Sequence, residues 1–126
     1  LSFLLVLNRR VVQIETTGIQ VSSLLISRVE NLVILNNMEF QLTQAAIETI
    51  SVLAEARMDG EMLNGAELES VIAGKPLADC DEAAGATRVK RLRDSLGNQM
   101  MSALLIKHVA RRGYVLAIDK DVIEFI

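Results

Sequence analysis

The hydrophobic period of this chain changes once, at Thr43, and that change limits the fold more than any other feature. Before it, short apolar runs rich in β-branched residues alternate with turn signals: Leu4–Leu7, Val11–Ile14, Ile19–Ile26, Leu32–Leu35 and Glu39–Leu42. Runs of that length and make-up predict strands. They are separated by Asn8-Arg9, Thr17-Gly18 and Asn36-Asn37. Asparagine tolerates positive φ, so Asn36-Asn37 predicts a tight hairpin. After Thr43 the apolar residues recur three and four positions apart, and strand-like runs return only at Leu104.

Each helical stretch carries its own start and stop. Thr43 is placed as an N-cap, with Leu42 and Ile47 positioned to form a hydrophobic staple across it. Ala46, Ile47, Ile50, Leu53 and Ala54 continue the stripe to about Arg57, and Asp59-Gly60 end it. Next comes Leu63-Asn64-Gly65-Ala66-Glu67-Leu68, in which Asn64 caps, Glu67 completes a capping box and Leu63 can staple onto Leu68. Gly74 and Pro76 stop that helix. A third opens at Asp79 or Asp81, where Glu82 again has capping-box spacing, and Gly97-Asn98 terminate it. Its apolar stripe is Gly85, Val89, Leu92 and Leu96. Leu104–Val109 and Tyr114–Ile118 then read as two strands around the tip Ala110-Arg111-Arg112-Gly113.

The expected class is therefore α+β: an N-terminal antiparallel sheet, three helices and a C-terminal β-hairpin, the order of a winged helix-turn-helix. The divisions are a β region at 1–42, the helical unit with its hairpin at 43–118, and a tail or short strand at 119–126. All three are expected within one compact domain, since 126 residues suffice for a core without disulfides or metals.

Several kinds of chemistry are excluded by count or spacing. One cysteine, Cys80, and one histidine, His108, supply neither a disulfide framework nor a zinc cluster. Cys80 near a helix start is read as incidental rather than redox-active. Asp79, Asp81 and Glu82 are read as helix caps rather than a cation site. Gly60, Gly65 and Gly74 make no phosphate loop, because no Gly-Lys-Ser/Thr follows them. No cofactor, metal or catalytic constellation is expected, so the chain is not read as an enzyme. The apolar run Leu1–Leu7 is far short of the roughly 20 residues of a membrane span. Its charges, Arg9 and Arg10, follow the run instead of preceding it as in a secretory signal. A cytoplasmic location without membrane contact is expected.

The charge is unevenly spread. Between Asp81 and Tyr114 lie seven basic side chains (Arg88, Lys90, Arg91, Arg93, Lys107, Arg111 and Arg112) and three acidic ones. That surplus of four sits in a chain of net charge −3, so the remainder carries −7. A single basic stretch on an acidic protein is a directional footprint of the kind that engages nucleic acid. On the third helix the apolar stripe turns Ala84, Thr87, Lys90 and Arg91 to the opposite side, with Arg88 and Arg93 at the flanks. Arginine there can fork onto a guanine edge or a phosphate, and threonine can reach a phosphate or a thymine methyl. Arg111 and Arg112 form a second basic element where a wing would meet backbone or minor groove.

Three segments in this order resemble the OmpR/PhoB-type winged-helix DNA-binding domains of transcriptional regulators. Met38-Glu39-Phe40-Gln41-Leu42-Thr43 resembles the close of that family's N-terminal sheet with its Leu-Thr cap. Arg88-Val89-Lys90-Arg91-Leu92-Arg93-Asp94-Ser95-Leu96 resembles its recognition helix. Ile106-Lys107-His108-Val109-Ala110-Arg111-Arg112-Gly113-Tyr114 resembles its wing, which ends in Gly-Tyr. The resemblance implies that a helix at about 81–96 lies in the major groove and that a hairpin at about 104–118 serves as wing. It implies DNA contacts at Thr87, Arg88, Lys90, Arg91 and Arg93, and similar roles for His108, Arg111 and Arg112; Lys107 belongs to the same basic stretch. The implied partners are double-stranded DNA, RNA polymerase and a second copy of the chain on repeated half-sites. The rival expectation is a winged-helix module that binds another regulator or polymerase, favoured by the low net charge, Asp94 and Ala110.

Overall fold

The structure is a computed structural model that describes residues 21–97 and 99–126. The expected strands Leu4–Leu7 and Val11–Ile14, with the first two residues of Ile19–Ile26, lie outside the described residues. Strands β1 (Leu24–Ser27), β2 (Leu32–Leu35) and β3 (Met38–Gln41) pair antiparallel, with Leu24 opposite Leu35 and Leu35 opposite Met38. Between β2 and β3 only Asn36 and Asn37 remain, at φ 49° and 71°. Positive φ at both central residues is the type I′ geometry that suits strand twist. The Asn36 carboxamide also accepts from the Ser22 and Ser23 amides at 2.8 and 3.2 Å, tying the turn to the chain ahead of β1. Leu24, Ile26, Val33 and Leu35 are buried while Leu25, Leu32 and Ile34 are half-exposed, so one face of the sheet lies on the core.

Helix α1 (Gln44–Met58) starts where the period changes. The Thr43 hydroxyl accepts the Ala46 amide at 3.1 Å, and Leu42 and Ile47 are both buried. Helix α2 (Gly65–Ala73) opens with a complete capping box. The Asn64 carboxamide accepts from the Glu67 amide at 2.8 Å, and the Glu67 carboxylate accepts from the Asn64 amide at 2.9 Å. Gly74, at φ 69°, closes it in the left-handed conformation. Helix α3 (Glu82–Ser95) runs across both, burying Gly85, Val89 and Leu92, with Leu96 just beyond it.

Two local expectations require correction. Leu77–Asp79 is a 3-10 turn, so Asp79 opens no helix, and Asp81 occupies the N-cap of α3 without a side-chain bond. Glu82 does not turn back onto its own cap. Its carboxylate accepts the Gly65 and Ala66 amides at 2.8 and 3.4 Å, so it caps α2 from α3. The second correction is at the run read as a strand from Leu104. A fourth helix, α4 (Gln99–Leu105), occupies its beginning, and β4 (Ile106–Val109) starts only afterwards. Leu105 and Ile106 are consecutive and fully buried, which an alternating half-exposed strand does not allow and a helix-to-strand junction does.

Strand β4 pairs antiparallel with β5 (Gly113–Leu116), and β6 (Ile123–Phe125) is the last strand. The last strand does not extend the hairpin. It lies parallel to β1, with Leu24 opposite Ile123, so the sheet order is β3-β2-β1-β6. Beside it the Arg28 guanidinium sits 5.1 Å over the Phe125 ring and pairs with Glu55 of α1. The core fills the space between this sheet, α1–α3 and β5, built from Leu, Ile and Val: Ile50, Leu53, Leu68, Leu92 and Leu116 are each at or below 1% exposure. Among the described residues, no helix is long and apolar enough to cross a membrane.

Gly85 interrupts the apolar stripe of α3 for a steric reason. It meets Gly65 at the start of α2, and a Cβ on Gly85 would stand 2.0 Å from the Gly65 carbonyl oxygen. Because backbone would have to move, Gly85→Ala is expected to cost at least the upper part of the roughly 1–3 kcal/mol typical of overpacking. Urea unfolding of the two proteins measures this, and a loss below about 0.5 kcal/mol, the scale of a neutral surface change, contradicts a tight crossing.

Candidate nucleic-acid interface

The basic residues of α3 divide into two groups by what they touch. Thr87, Lys90 and Arg91 are exposed on the side away from the buried stripe, and Asp94 is exposed with them. The Thr87 hydroxyl donates to the Ala83 carbonyl at 3.0 Å. Arg88 and Arg93, at the flanks, are engaged within the fold. The Arg88 Nε donates to Glu69 of α2, in an ion pair whose side chains retain only 25% and 14% of their exposure. An Arg93 Nη donates to the Ile106 carbonyl at the start of β4, while its Nε is buried without a partner. One flanking arginine therefore fastens α3 to α2 and the other fastens it to the hairpin.

The Arg88 hydrogen bond, followed by its charge, holds the Glu69 carboxyl below the ordinary range, against burial, which pushes it up. Thr87, Arg88, Arg91 and Glu69 also line a cleft of about 720 Å³, whose far wall is Thr43, Ala45, Ala46 and Thr49 at the start of α1. Glu69 is the acidic residue of that lining.

The hairpin is aimed by a contact outside itself. Val109 pairs with Gly113, so the tip is Ala110, Arg111 and Arg112, all exposed. Arg111 takes the left-handed conformation at φ 68°, and the Arg112 amide donates to the Val109 carbonyl at 3.0 Å. His108 is exposed and stacks at 4.8 Å and 43° on Tyr114, which is itself buried; Lys107 is half-buried on the opposite face of β4. The Tyr114 amide donates to the Leu63 carbonyl at 2.7 Å, and the Leu63 amide returns a bond at 3.4 Å. The loop before α2 thus acts as a third rung on β5. Gly113, at φ 127°, lies against that loop, where a Cβ would come within 2.4 Å of the Leu63 carbonyl group. The Gly-Tyr pair of the sequence is explained by this contact: the glycine lets the loop approach, and the tyrosine bonds it.

This arrangement is similar to the DNA-binding domain of E. coli CadC, with a TM-score of 0.61 at 24% identity over 79% of this chain and 91% of that one. The fold is a winged helix-turn-helix. No protein-family model and no curated protein sequence matches the chain. In winged-helix terms α2 and α3 are the helix-turn-helix pair, with α3 as the exposed second helix, and β4–β5 is the wing.

Three long-range roles that shape this surface were not legible in the sequence: those of Leu63, Glu69 and Glu82. Each acts across at least 16 residues of chain, on Tyr114, Arg88 and the α2 amides respectively, and local spacing carries no mark of such partners. Among the described residues, no three His, Cys, Asp or Glu side chains stand together as metal ligands would.

The division of the arginines gives a stability test. Arg93→Ala removes a charged hydrogen bond to a buried carbonyl and should cost about 1.5–3 kcal/mol. Lys90→Ala, on the exposed side, should stay within about 0.5 kcal/mol. Thermal or urea unfolding compares them, and equal effects would place Arg93 outside the fold's framework. A second test follows from Glu69. Its lowered carboxyl pKa stabilises the fold fully above the unfolded carboxylate value, and this contribution is lost as pH falls through the folded value. Glu69→Gln should therefore flatten the acid side of the stability–pH curve and leave the shape of its neutral side unaltered.

Proposed function

We propose that this chain is the DNA-binding domain of a transcriptional regulator, of OmpR/PhoB type, and not an enzyme. The observation that carries the reading is the exposed set Thr87, Lys90 and Arg91 on α3, presented beside a wing whose tip bears Arg111 and Arg112. Its similarity in fold to a DNA-binding domain supports the same reading. Helix α3 enters the major groove, where Arg91 and Thr87 meet base edges and Lys90 meets a phosphate. The wing rests on backbone or minor groove through Arg111 and Arg112, with His108 and Lys107 along its strand. Arg93 sets the angle between helix and wing. Two copies occupy repeated half-sites of double-stranded DNA. The connection between α2 and α3, which carries the exposed Leu77, faces RNA polymerase. The regulator's DNA-binding part works in the cytoplasm, without a cofactor.

Titration against a random-sequence duplex at increasing salt tests this reading. Neutralising roughly four to six phosphates gives a slope of log K against log salt of about −4 to −5. A flat response, or no binding at about 50 mM salt, overturns it in favour of a protein-binding module. Arg91→Ala should lose about 1–3 kcal/mol on a sequence selected by the chain and relax its base preference. Arg111→Ala and Arg112→Ala should weaken selected and random duplexes alike. Equal losses on both for Arg91→Ala would remove α3 as the reading element. Asp94→Ala deletes a carboxylate near the C-terminal end of α3, where both the helix dipole and an approaching phosphate oppose it. It should tighten random DNA about two- to fivefold. Unchanged or weaker binding would mean that DNA approaches another face.

A further inference from the structure

Glu69 lies on α2, outside the basic stretch, yet its carboxylate is the acceptor for a recognition-helix arginine. The Arg88 Nε donates to it, both side chains are largely covered, and the pair lies in the cleft that Arg91 and Thr87 also line. Resting on the DNA-binding reading, we propose that Glu69 is a specificity-determining positioning residue: it holds Arg88 against α2 and withholds that charge from the DNA backbone.

Geometry and energetics support the direction of this effect. Arg88 stands at the flank of α3 that faces α2, and Lys90 and Arg91 stand on the exposed side. A long, flexible arginine at a flank would otherwise reach the nearest phosphate of any sequence, since phosphate contacts carry no sequence information. Drawing it out of a partly buried pair leaves Glu69 in the cleft without its hydrogen-bonded cation and with only the weaker field of Lys75, and such a carboxylate costs more there than in open solvent. A glutamate is ionised throughout the neutral range in any case, and the guanidinium extends that ionisation to lower pH. Phosphates are then met by fewer helix side chains. A larger share of the binding free energy comes from Arg91 and Thr87, which can distinguish bases.

The test uses the chain as it stands in four forms: wild type, Glu69→Gln, Arg88→Ala and the double variant. Each is titrated by fluorescence anisotropy against one random-sequence duplex and one duplex selected by the wild type, across about 50–200 mM salt. Glutamine preserves the shape of the site, and circular dichroism confirms that each form is folded. Releasing Arg88 adds about one phosphate contact, so the slope for Glu69→Gln should steepen by about 0.9. Its gain on random DNA then grows about eightfold for each tenfold dilution of salt. The ratio of selected to random affinity should fall correspondingly. Arg88→Ala alone should keep the wild-type slope, and the double variant should return to it.

A steeper slope that persists in the double variant would be the general effect of deleting a negative charge, and it overturns the role of Arg88. A shallower slope for Arg88→Ala alone overturns the proposal too, because Arg88 would already touch phosphate in the wild type. Wild-type binding with no change of slope in Glu69→Gln overturns the role of Glu69 and leaves the DNA-binding reading standing. Failure of the wild type to bind either duplex overturns the reading on which the proposal rests. A purely structural role for Glu69 changes the unfolding midpoint and moves neither slope nor ratio.

Discussion

The backbone contact between Gly65 and Gly85 is the constraint on which the rest of the structure depends. Two helices can approach this closely only where both lack a Cβ, and each glycine would meet the other helix within 2.2 Å of the added atom. The close approach has a second consequence. It brings Glu82, three residues before Gly85, to the N-terminal amides of α2, where a carboxylate finds unsatisfied donors and the positive end of the helix dipole. It also sets the spacing at which Glu69 reaches Arg88 one turn after Gly85. Steric permission, capping and ion pairing therefore succeed one another along a single helix–helix contact, and the orientation of α3 is their joint result.

From that orientation the charge on α3 acquires different uses. A helix with four basic side chains within six residues would, on a bare surface, present all of them to solvent. Here the flanks are occupied. Arg88 is drawn to α2, Arg93 is drawn to the Ile106 carbonyl, and only the middle of the outer face is left with exposed cations. Long arginine side chains can serve in this way because their stems bury well while the guanidinium keeps several donors in a fixed plane. Net charge in the sequence counted these residues equally, and the fold does not.

The parts of the fold that were legible in the sequence are those fixed by near neighbours in the chain. The Thr43 cap, the Asn64–Glu67 box, the Asn36-Asn37 turn and the apolar stripe of α3 all depend on residues at most a few turns apart, and all four formed as their spacing predicts. The strand–helix boundary at Leu105 was not legible. Leu104, Leu105 and Ile106 form an apolar run too short for periodicity to decide between the two, and burial on both sides removes the alternation that identifies a strand. Glu82 shows the same limit in another form. Its spacing from Asp79 suited a cap on its own helix, but a neighbouring helix start offered better donors, and nothing local could signal that. Of the candidate interface, the exposed face of α3 was readable because it is the complement of the stripe. The engagement of Arg88 and Arg93 was not, because their partners lie 19 and 13 residues away.

The wing raises a related question of rigidity, because a two-stranded hairpin alone is at best marginally stable in water. Three connections outside the hairpin supply what it lacks. Leu63 adds a rung beside Tyr114, Arg93 holds the Ile106 carbonyl, and the Arg57 Nε, buried in α1, donates to the Ile118 carbonyl just beyond β5 at 2.7 Å. They come from the loop before α2, from α3 and from α1, so the hairpin is tied to the helical unit at three separate points. Beyond Ile118 the chain returns to the first sheet as β6, parallel to β1. A displacement of the wing base would therefore have to break bonds to all three, and the path of lowest cost leaves only the tip, Ala110–Arg112, free to adjust. A surface with a fixed helix and a fixed wing base, adjustable only at two exposed arginines, loses little conformational entropy when it meets a rigid partner. Arg111, one of the two tip arginines, is also a residue of the turn that takes the left-handed conformation, at φ 68°.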